Sequence, residues 1–411
     1  MSAAAERRAR IAILVGDLGP GGAERQAVLL AASLDRSRFE PALVVWRSRL
    51  FYRREVEESG IEVVRVAKGT RADLGFPFRL RRELVRRGFD VWHGWLEAGS
   101  LWARLLSRGR PRRRPVAIAS FRCSDMARGY FAAERFLARF SDAIVANGEE
   151  VRSALACRSR VDPGRILVIE NAVDTRRFFR ERRPEPKERA AARRALGLGD
   201  VPPDVPLVAL VGRLSPQKDP LALVRAAASS RRVPFAALFV GETSDADLRG
   251  RVERAAAESG LLSRVRFLAP VPEIERVYDA ADAVALPSLY EGCPNVLVEA
   301  VAAGLPVAAS SISENRSALA SYPRARFHYP GDASGLAGAI AGALAPEEAP
   351  AETRGQLLER FSPERLGREF GALYERLLVA RSPVAAPSGT VRPSSQRKKD
   401  SRLRSAQSVR P

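Results

Sequence analysis

Short apolar runs alternating with amphipathic stretches recur in two series along this chain, and no other feature restricts its fold as tightly. Between 10 and 169 the runs are Ile11–Val15, Ala42–Trp46, Ile61–Val66, Asp90–His93, Val116–Ala119, Ala143–Ala146 and Ile166–Ile169. Each has the length of a buried strand, and the stretches between them have room for a helix, which predicts βαβ units and a parallel sheet. The second series runs through Leu207–Val211, Phe235–Val240, Val265–Leu268, Ala283–Leu286 and Val307–Ala309. Helices are expected between these runs at Pro220–Ala228, Asp245–Ser259, Glu273–Ala281 and Pro294–Ala303, where caps, glycines and prolines punctuate the pattern.

The fold class implied is α/β, two Rossmann-like domains whose parallel sheets face each other across a cleft. The first domain spans 1–172 and a charged, proline-bearing connection spans 173–205, with a short helix near Lys187–Leu196. The second domain spans 206–361, an amphipathic helix follows at 362–381, and the Ser-, Pro-, Arg- and Lys-rich tail 382–411 is expected to be disordered.

No run approaches the 18 to 20 apolar residues that span a bilayer. Glu6–Arg10 precedes only five apolar residues, too few for a signal-peptide core. Cys123, Cys157 and Cys293 have no paired redox or metal spacing, so a cytoplasmic location is expected. The net charge of +20 is almost wholly arginine, since lysine occurs at only five positions. Coding composition alone can produce such a bias. A partner that selected it would be an anionic lipid surface, a lipid-linked diphosphate or nucleic acid. For a lipid surface the sequence offers basic clusters at Arg79–Arg87 and Arg104–Arg114, the latter including the Pro111–Arg114 run. Phe51-Tyr52 and Phe76-Pro-Phe78 are the aromatics expected to reach the interface. No basic motif interleaved with aromatics favours nucleic acid, so none is expected.

Chemistry concentrates in strand-to-helix loops. Ser288–Ser310 places Glu291 in a loop after a strand and Glu299 one turn into a helix that Asn295 can cap and Gly304 and Pro306 close. Two carboxylates suited to hydroxyls and helix-start N–H groups suited to an anion make a sugar-phosphate pocket. Gly212–Pro220 follows the first strand of the second domain and puts Arg213 and Lys218 within reach of one ligand, with Asp219 and Pro220 as cap and first turn. Gly16–Arg25 after the first strand is glycine-rich but fits neither the dinucleotide nor the Walker spacing. Gly21 and Gly22 there let backbone approach a ligand.

These residues resemble the retaining glycosyltransferases of the large family 4 type, which have the GT-B fold. Glu291-Gly292-Cys293-Pro294-Asn295, Glu299-Ala300, Gly304, Pro306 and Val307 fall in that family's double-glutamate frame, with Cys293 where a bulky apolar residue is usual. Gly212-Arg213-Leu214 with Lys218-Asp219 is similar to its diphosphate-binding frame, and Gly21–Arg25 to its first loop. Asn171–Asp174 with Phe178 looks like the segment that ends its first domain. The resemblance implies a metal-independent enzyme, without cofactor, that moves a sugar with retention from a nucleotide-diphosphate sugar to a glycan or lipid-linked acceptor. Polysaccharide, lipopolysaccharide or glycolipid biosynthesis would be the setting. The basic charge, not the resemblance, adds the expectation of peripheral docking on the inner face of the cytoplasmic membrane.

It also implies roles for single residues. Arg213 and Lys218 would hold the diphosphate, Glu291 a sugar hydroxyl, Glu299 the ribose, and His93 the donor sugar. Gly292, Cys293, Pro294 and Asn295 would line the donor pocket. The sequence departs from the family pattern after Val307, where Ala309–Arg316 replaces an Asp and a Gly-rich turn. Glu314 is left as the acidic residue there to face the sugar. Asp245-Ala-Asp247 matches a metal-binding spacing but opens a helix, where Asp residues cap. His328 is given no role. Two other readings stand beside this one: a degenerate protein that binds nucleotide sugar without transfer, and a basic nucleic-acid-binding protein.

Overall fold

The computed structural model describes residues 7–381 apart from 71, 109–113, 125, 127, 231–232, 244 and 348–349. The expected tail, 382–411, and most of the Pro111–Arg114 basic run lie outside the described residues.

Seven strands form the first sheet: β1 (Ala9–Leu14), β2 (Phe39–Val45), β3 (Glu62–Arg65), β4 (Val91–Trp95), β5 (Val116–Phe121), β6 (Ala143–Ala146) and β7 (Ile166–Val168). Six form the second: β8 (Leu207–Val211), β9 (Ala236–Val240), β10 (Val265–Leu268), β11 (Ala283–Leu286), β12 (Val307–Ser310) and β13 (Ala325–His328). Their spatial orders are β3-β2-β1-β4-β5-β6-β7 and β10-β9-β8-β11-β12-β13, with parallel pairing throughout. Each chain half starts mid-sheet, winds to one edge, then crosses back to fill the other side. Loops leaving β1 and β4, and β8 and β11, therefore diverge at a switch point, which is where open parallel sheets bind ligands.

Burial explains why such short runs suffice. Every residue of β4, β5, β8, β9 and β11 is buried, because helices cover both sheet faces. The helix Pro363–Arg381 follows the second domain yet packs on the first, setting Leu366, Phe370 and Tyr374 into the core around Phe39 and Trp95. Among the described residues no helix is long and apolar enough to cross a membrane.

Two surface expectations need correction. Arg104, counted in a basic cluster, is fully buried and donates to Glu134 at 2.6 Å. Phe76 is buried in the core, and Phe51 and Tyr52 line an internal cavity, so of the aromatics expected to reach a membrane interface only Phe78 is exposed.

Candidate active site

A cavity of about 620 Å³ lies between the two domains, walled by the loops that leave β1, β5, β6, β8, β9 and β11. Local backbone geometry sets its second-domain wall. Gly212 and Gly241 have φ of 130° and 142°, and a Cβ on Gly241 would strike the Gly212 carbonyl, so the loops after β8 and β9 lie against each other. Arg213 then stands exposed at the cavity edge. A single 3-10 turn, Pro216–Lys218, ends at Asp219, whose left-handed φ of 42° lets its side chain accept from Ala222 N at 3.3 Å. Pro220 opens the helix that follows, as expected.

Because β8 and β11 are neighbours, their loops are stitched together. Gln217 Nε2 donates to the Tyr290 carbonyl at 2.8 Å, and Leu289 N donates to the Gln217 carbonyl at 2.8 Å. Lys218 Nζ reaches Glu291 Oε1, which also accepts from Ser288 Oγ at 2.6 Å. Glu291 is 5% exposed, so this pair is fixed in a site with little water.

Pro294, not Asn295, occupies the N-cap position of the helix Asn295–Ala302. Asn295 is its first helical residue, and its side chain accepts from Asn171 Nδ2 at 2.9 Å across the cleft. Glu299 follows one turn later and accepts from Tyr278 Oη at 2.6 Å and from Arg25 Nη1 at 3.1 Å. Arg25 comes from the helix Gly22–Ser33 of the first domain and lies over the Phe178 ring. Glu24 beside it is pushed up from the usual carboxylate range, mainly by burial and further by Asp17, while Arg213 and Arg49 pull it back.

At the end of β5, Arg122 is 8% exposed, stacks 3.9 Å from the centre of the Trp95 ring, and donates from Nη1 to Asn171 Oδ1 at 3.0 Å. The domains touch closely here: a Cβ on Gly148 would run into the Gly292 carbonyl.

Arg213, Lys218, Glu291, Glu299, Gly21, Gly22, Gly292, Cys293, Pro294 and Asn295 thus share one cavity. His93 does not join them. The run Asp90–His93 extends to Trp95 as β4, so His93 sits inside the strand and not past its end, fully buried. Its ring nitrogens lie 2.7 Å from Tyr374 Oη and 2.6 Å from Ser120 Oγ, and burial with Arg122 nearby holds it well below its ordinary pKa. Glu314 stands outside the cavity wall on the helix Ser313–Leu319, its carboxyl raised by burial and by Glu150 and Glu291. Asp245 caps its helix, accepting from Asp247 N at 3.0 Å. Among the described residues no group of three His, Cys, Asp or Glu could hold a metal.

Arg25, Arg122, Asn147, Asn171 and Tyr278 were not predicted. Arg122 and Asn147 do follow strand ends, the one signal that could have flagged them.

Two Rossmann-like domains facing across a cleft, with glycine, cation and carboxylate loops at both switch points, define the two-domain GT-B glycosyltransferase class. The chain belongs to the family 4 type: a model described as Glycosyltransferase Family 4 matches residues 20–177, and one described as Glycosyl transferases group 1 matches 205–345. Curated relatives include D-inositol 3-phosphate glycosyltransferases from Nocardia farcinica, 41% identical over 180 residues, and Mycolicibacterium gilvum, 36% identical over 223. Those matches cover 42% and 53% of this chain and 38% and 48% of the relatives, so the chain spans less than half of their length. HepE from Anabaena, solved with UDP and glucose, superimposes with a TM-score of 0.76 at 20% identity over 90% of this chain and 100% of that one. A Rickettsia africae glycosyltransferase gives 0.74 at 18% identity, covering 90% and 99%.

Proposed function

We propose that the protein transfers a sugar, with retention of configuration and without a metal ion, from a nucleotide-diphosphate sugar to an acceptor hydroxyl. The observation that carries this reading is the convergence of Arg213, Lys218, Glu291, Glu299 and the Gly21-Gly22 loop on one interdomain cavity. Arg213 and Lys218 stabilise the departing diphosphate, an electrostatic role that a metal fills in other enzymes. Glu299, aligned by Tyr278, keeps lone pairs for ribose hydroxyls. Glu291, fixed by Ser288 and Lys218, accepts from a sugar hydroxyl.

The C1–O bond to the diphosphate breaks while the acceptor oxygen bonds C1 on the same face, and the acceptor proton passes to the leaving diphosphate oxygen. Support for a route without a protein nucleophile comes from the two side chains of the Glu291–Cys293 loop. Burial pushes the Cys293 thiol up to about 12, and Glu291 Oε1 is already tied by two donors. Neighbours solved with UDP support a uridine donor, and relatives named for D-inositol 3-phosphate add a phosphorylated polyol to the glycan or lipid-linked acceptors that the motifs imply.

The basic first-domain surface is read as a reversible contact with anionic lipid. Leu74, Phe78, Leu105 and Phe136 are exposed on the domain that also exposes Arg82, Arg135 and Arg139.

The test is to incubate the protein with a panel of nucleotide sugars, follow nucleoside diphosphate release by chromatography, and read the product's anomeric coupling by NMR. Slow release and a product with the donor's configuration are expected. Binding without release would leave the degenerate reading standing, and an inverted product would remove retention.

A further inference from the structure

Of the cations around the cavity, Arg213 is exposed to water and four others are paired. Lys218 pairs with Glu291, Arg25 with Glu299, Arg177 with Glu55 and Glu275, and Arg49 with Glu242. Arg122, far more buried than Arg49, has no carboxylate partner among the described residues; its contacts are the neutral Asn171 side chain and the Trp95 ring. Burial pulls its pKa down to about 9, which still leaves it protonated at neutral pH. A guanidinium nine-tenths buried with no counter-ion is costly, and structures that keep one have a use for the charge.

The unmet donors are specific. Nη1 is engaged by Asn171, but Nε and Nη2 are shut away from water and have no hydrogen-bond partner. Those two nitrogens share one edge of the guanidinium, and their N–H bonds run parallel. That edge is the fork that grips a carboxylate or phosphate with two bonds at once. The stack on Trp95, with the Phe370 ring centre 5.8 Å from the guanidinium, holds the plane in place.

Position says which part of a substrate would meet it. A Cβ on Gly292 would lie 2.9 Å from the Arg122 carbonyl, so the Arg122 backbone adjoins the loop that starts at Glu291, where the sugar is placed above. Its side chain is tied through Asn171 to Asn295 in the same segment. Arg122 enters from the first domain, and the diphosphate cations Arg213 and Lys218 enter from the second.

We infer that Arg122 receives a second anionic group, a carboxylate or phosphate separate from the donor diphosphate, carried at the sugar end of the cavity. The inference rests on the proposed donor site. Two sources share this chemistry: a uronate sugar on the donor, or a phosphate on a polyol or sugar acceptor.

Calorimetry on the full chain decides it. The best binder among UDP, GDP, ADP and dTDP sets the nucleotide, and binding of that nucleotide by wild type and Arg122→Gln alike shows that the donor site is sound. Its uronate sugar is then compared with its glucose sugar. In parallel, inositol 3-phosphate and glucose 6-phosphate are compared with inositol and glucose on protein saturated with the nucleotide. The expected result is a preference of about a hundredfold or more for the anionic form in one arm, as two charge-assisted bonds supply. Arg122→Gln abolishes it, and Arg122→Lys, which keeps charge and stem but lacks the fork, restores only part. A uronate preference assigns the group to the donor, and a phosphate preference assigns it to the acceptor. Equal binding of charged and neutral forms in both arms, or a preference that survives in a folded Arg122→Gln protein, overturns the inference. Absence of nucleotide binding by the wild type would instead remove the donor reading beneath it.

Discussion

Lys218 and Glu299 each belong to an ion pair at the cavity and, in the proposed reading, to a ligand site as well. Lys218→Gln removes a cation from the diphosphate and leaves Glu291 short of its partner, so turnover should fall by about tenfold to a hundredfold or more, the equivalent of about 1.5–3 kcal/mol. Steady-state release of nucleoside diphosphate measures it, and wild-type turnover in the variant would dismiss the assignment. Arg25 and Glu299 predict a thermodynamic coupling. Unfolding free energies of Arg25→Ala, Glu299→Ala and the double variant should be non-additive by about 0.5–3 kcal/mol, and additive values would mean that the contact contributes nothing. Glu291 and Glu299 were legible in sequence because Gly292, Pro294, Gly304 and Pro306 fix the loop and helix that present them. Arg25 as partner of Glu299 was not, since 274 positions separate them and only the facing of two domains brings them together.

Strands and loops make their own predictions. His93 was placed at the end of the apolar run Asp90–His93, yet pairing with β5 carries β4 on to Trp95. A histidine inside a covered strand must be neutral. The unfolded chain takes up this proton near pH 6.5 and the folded chain only well below that, so between those values the unfolded state binds more protons. Stability is therefore full above about pH 6.5 and declines as pH falls, with His93 adding up to about 1.4 kcal/mol per pH unit to the slope. Denaturant unfolding at pH 7 and 5 should show a smaller loss for His93→Gln than for wild type, and identical slopes would contradict a buried neutral histidine. At the domain contact, Gly148→Ala drives a methyl group into the Gly292 carbonyl, so the cleft should open. Small-angle scattering should report a larger radius of gyration and calorimetry weaker nucleotide binding; an unchanged radius would show that the loops yield instead. Strand existence followed from the two apolar series, whereas strand ends and the spatial order of the strands depended on partners that no local pattern encodes.

For the whole molecule, the two-domain plan was legible because the apolar runs recur in two series, and each series folds into a sheet of one order, β3-β2-β1-β4 and β10-β9-β8-β11, onward to its edge. Surface charge was less so. Arg79 pairs with Asp73, Arg86 with Glu83, and Arg104 is buried with Glu134, so a count of arginines overstates the free basic surface. Membrane attachment should then be weak and salt-sensitive. In flotation with anionic and neutral vesicles at low and high salt, the full chain should follow anionic vesicles at low salt only. Equal partition to both lipids, or to neither, would leave the charge as composition. The most direct test of the central claim, that the interdomain cavity holds a nucleotide-diphosphate sugar through Arg213 and Lys218, is thermal unfolding with a nucleotide-sugar panel in excess chelator. At a hundred times its dissociation constant the true donor should stabilise the wild type by about 2.7 kcal/mol. Lys218→Gln and Arg213→Gln should lose most of that shift. A wild type that no nucleotide sugar stabilises, or variants stabilised as much as the wild type, would contradict the account.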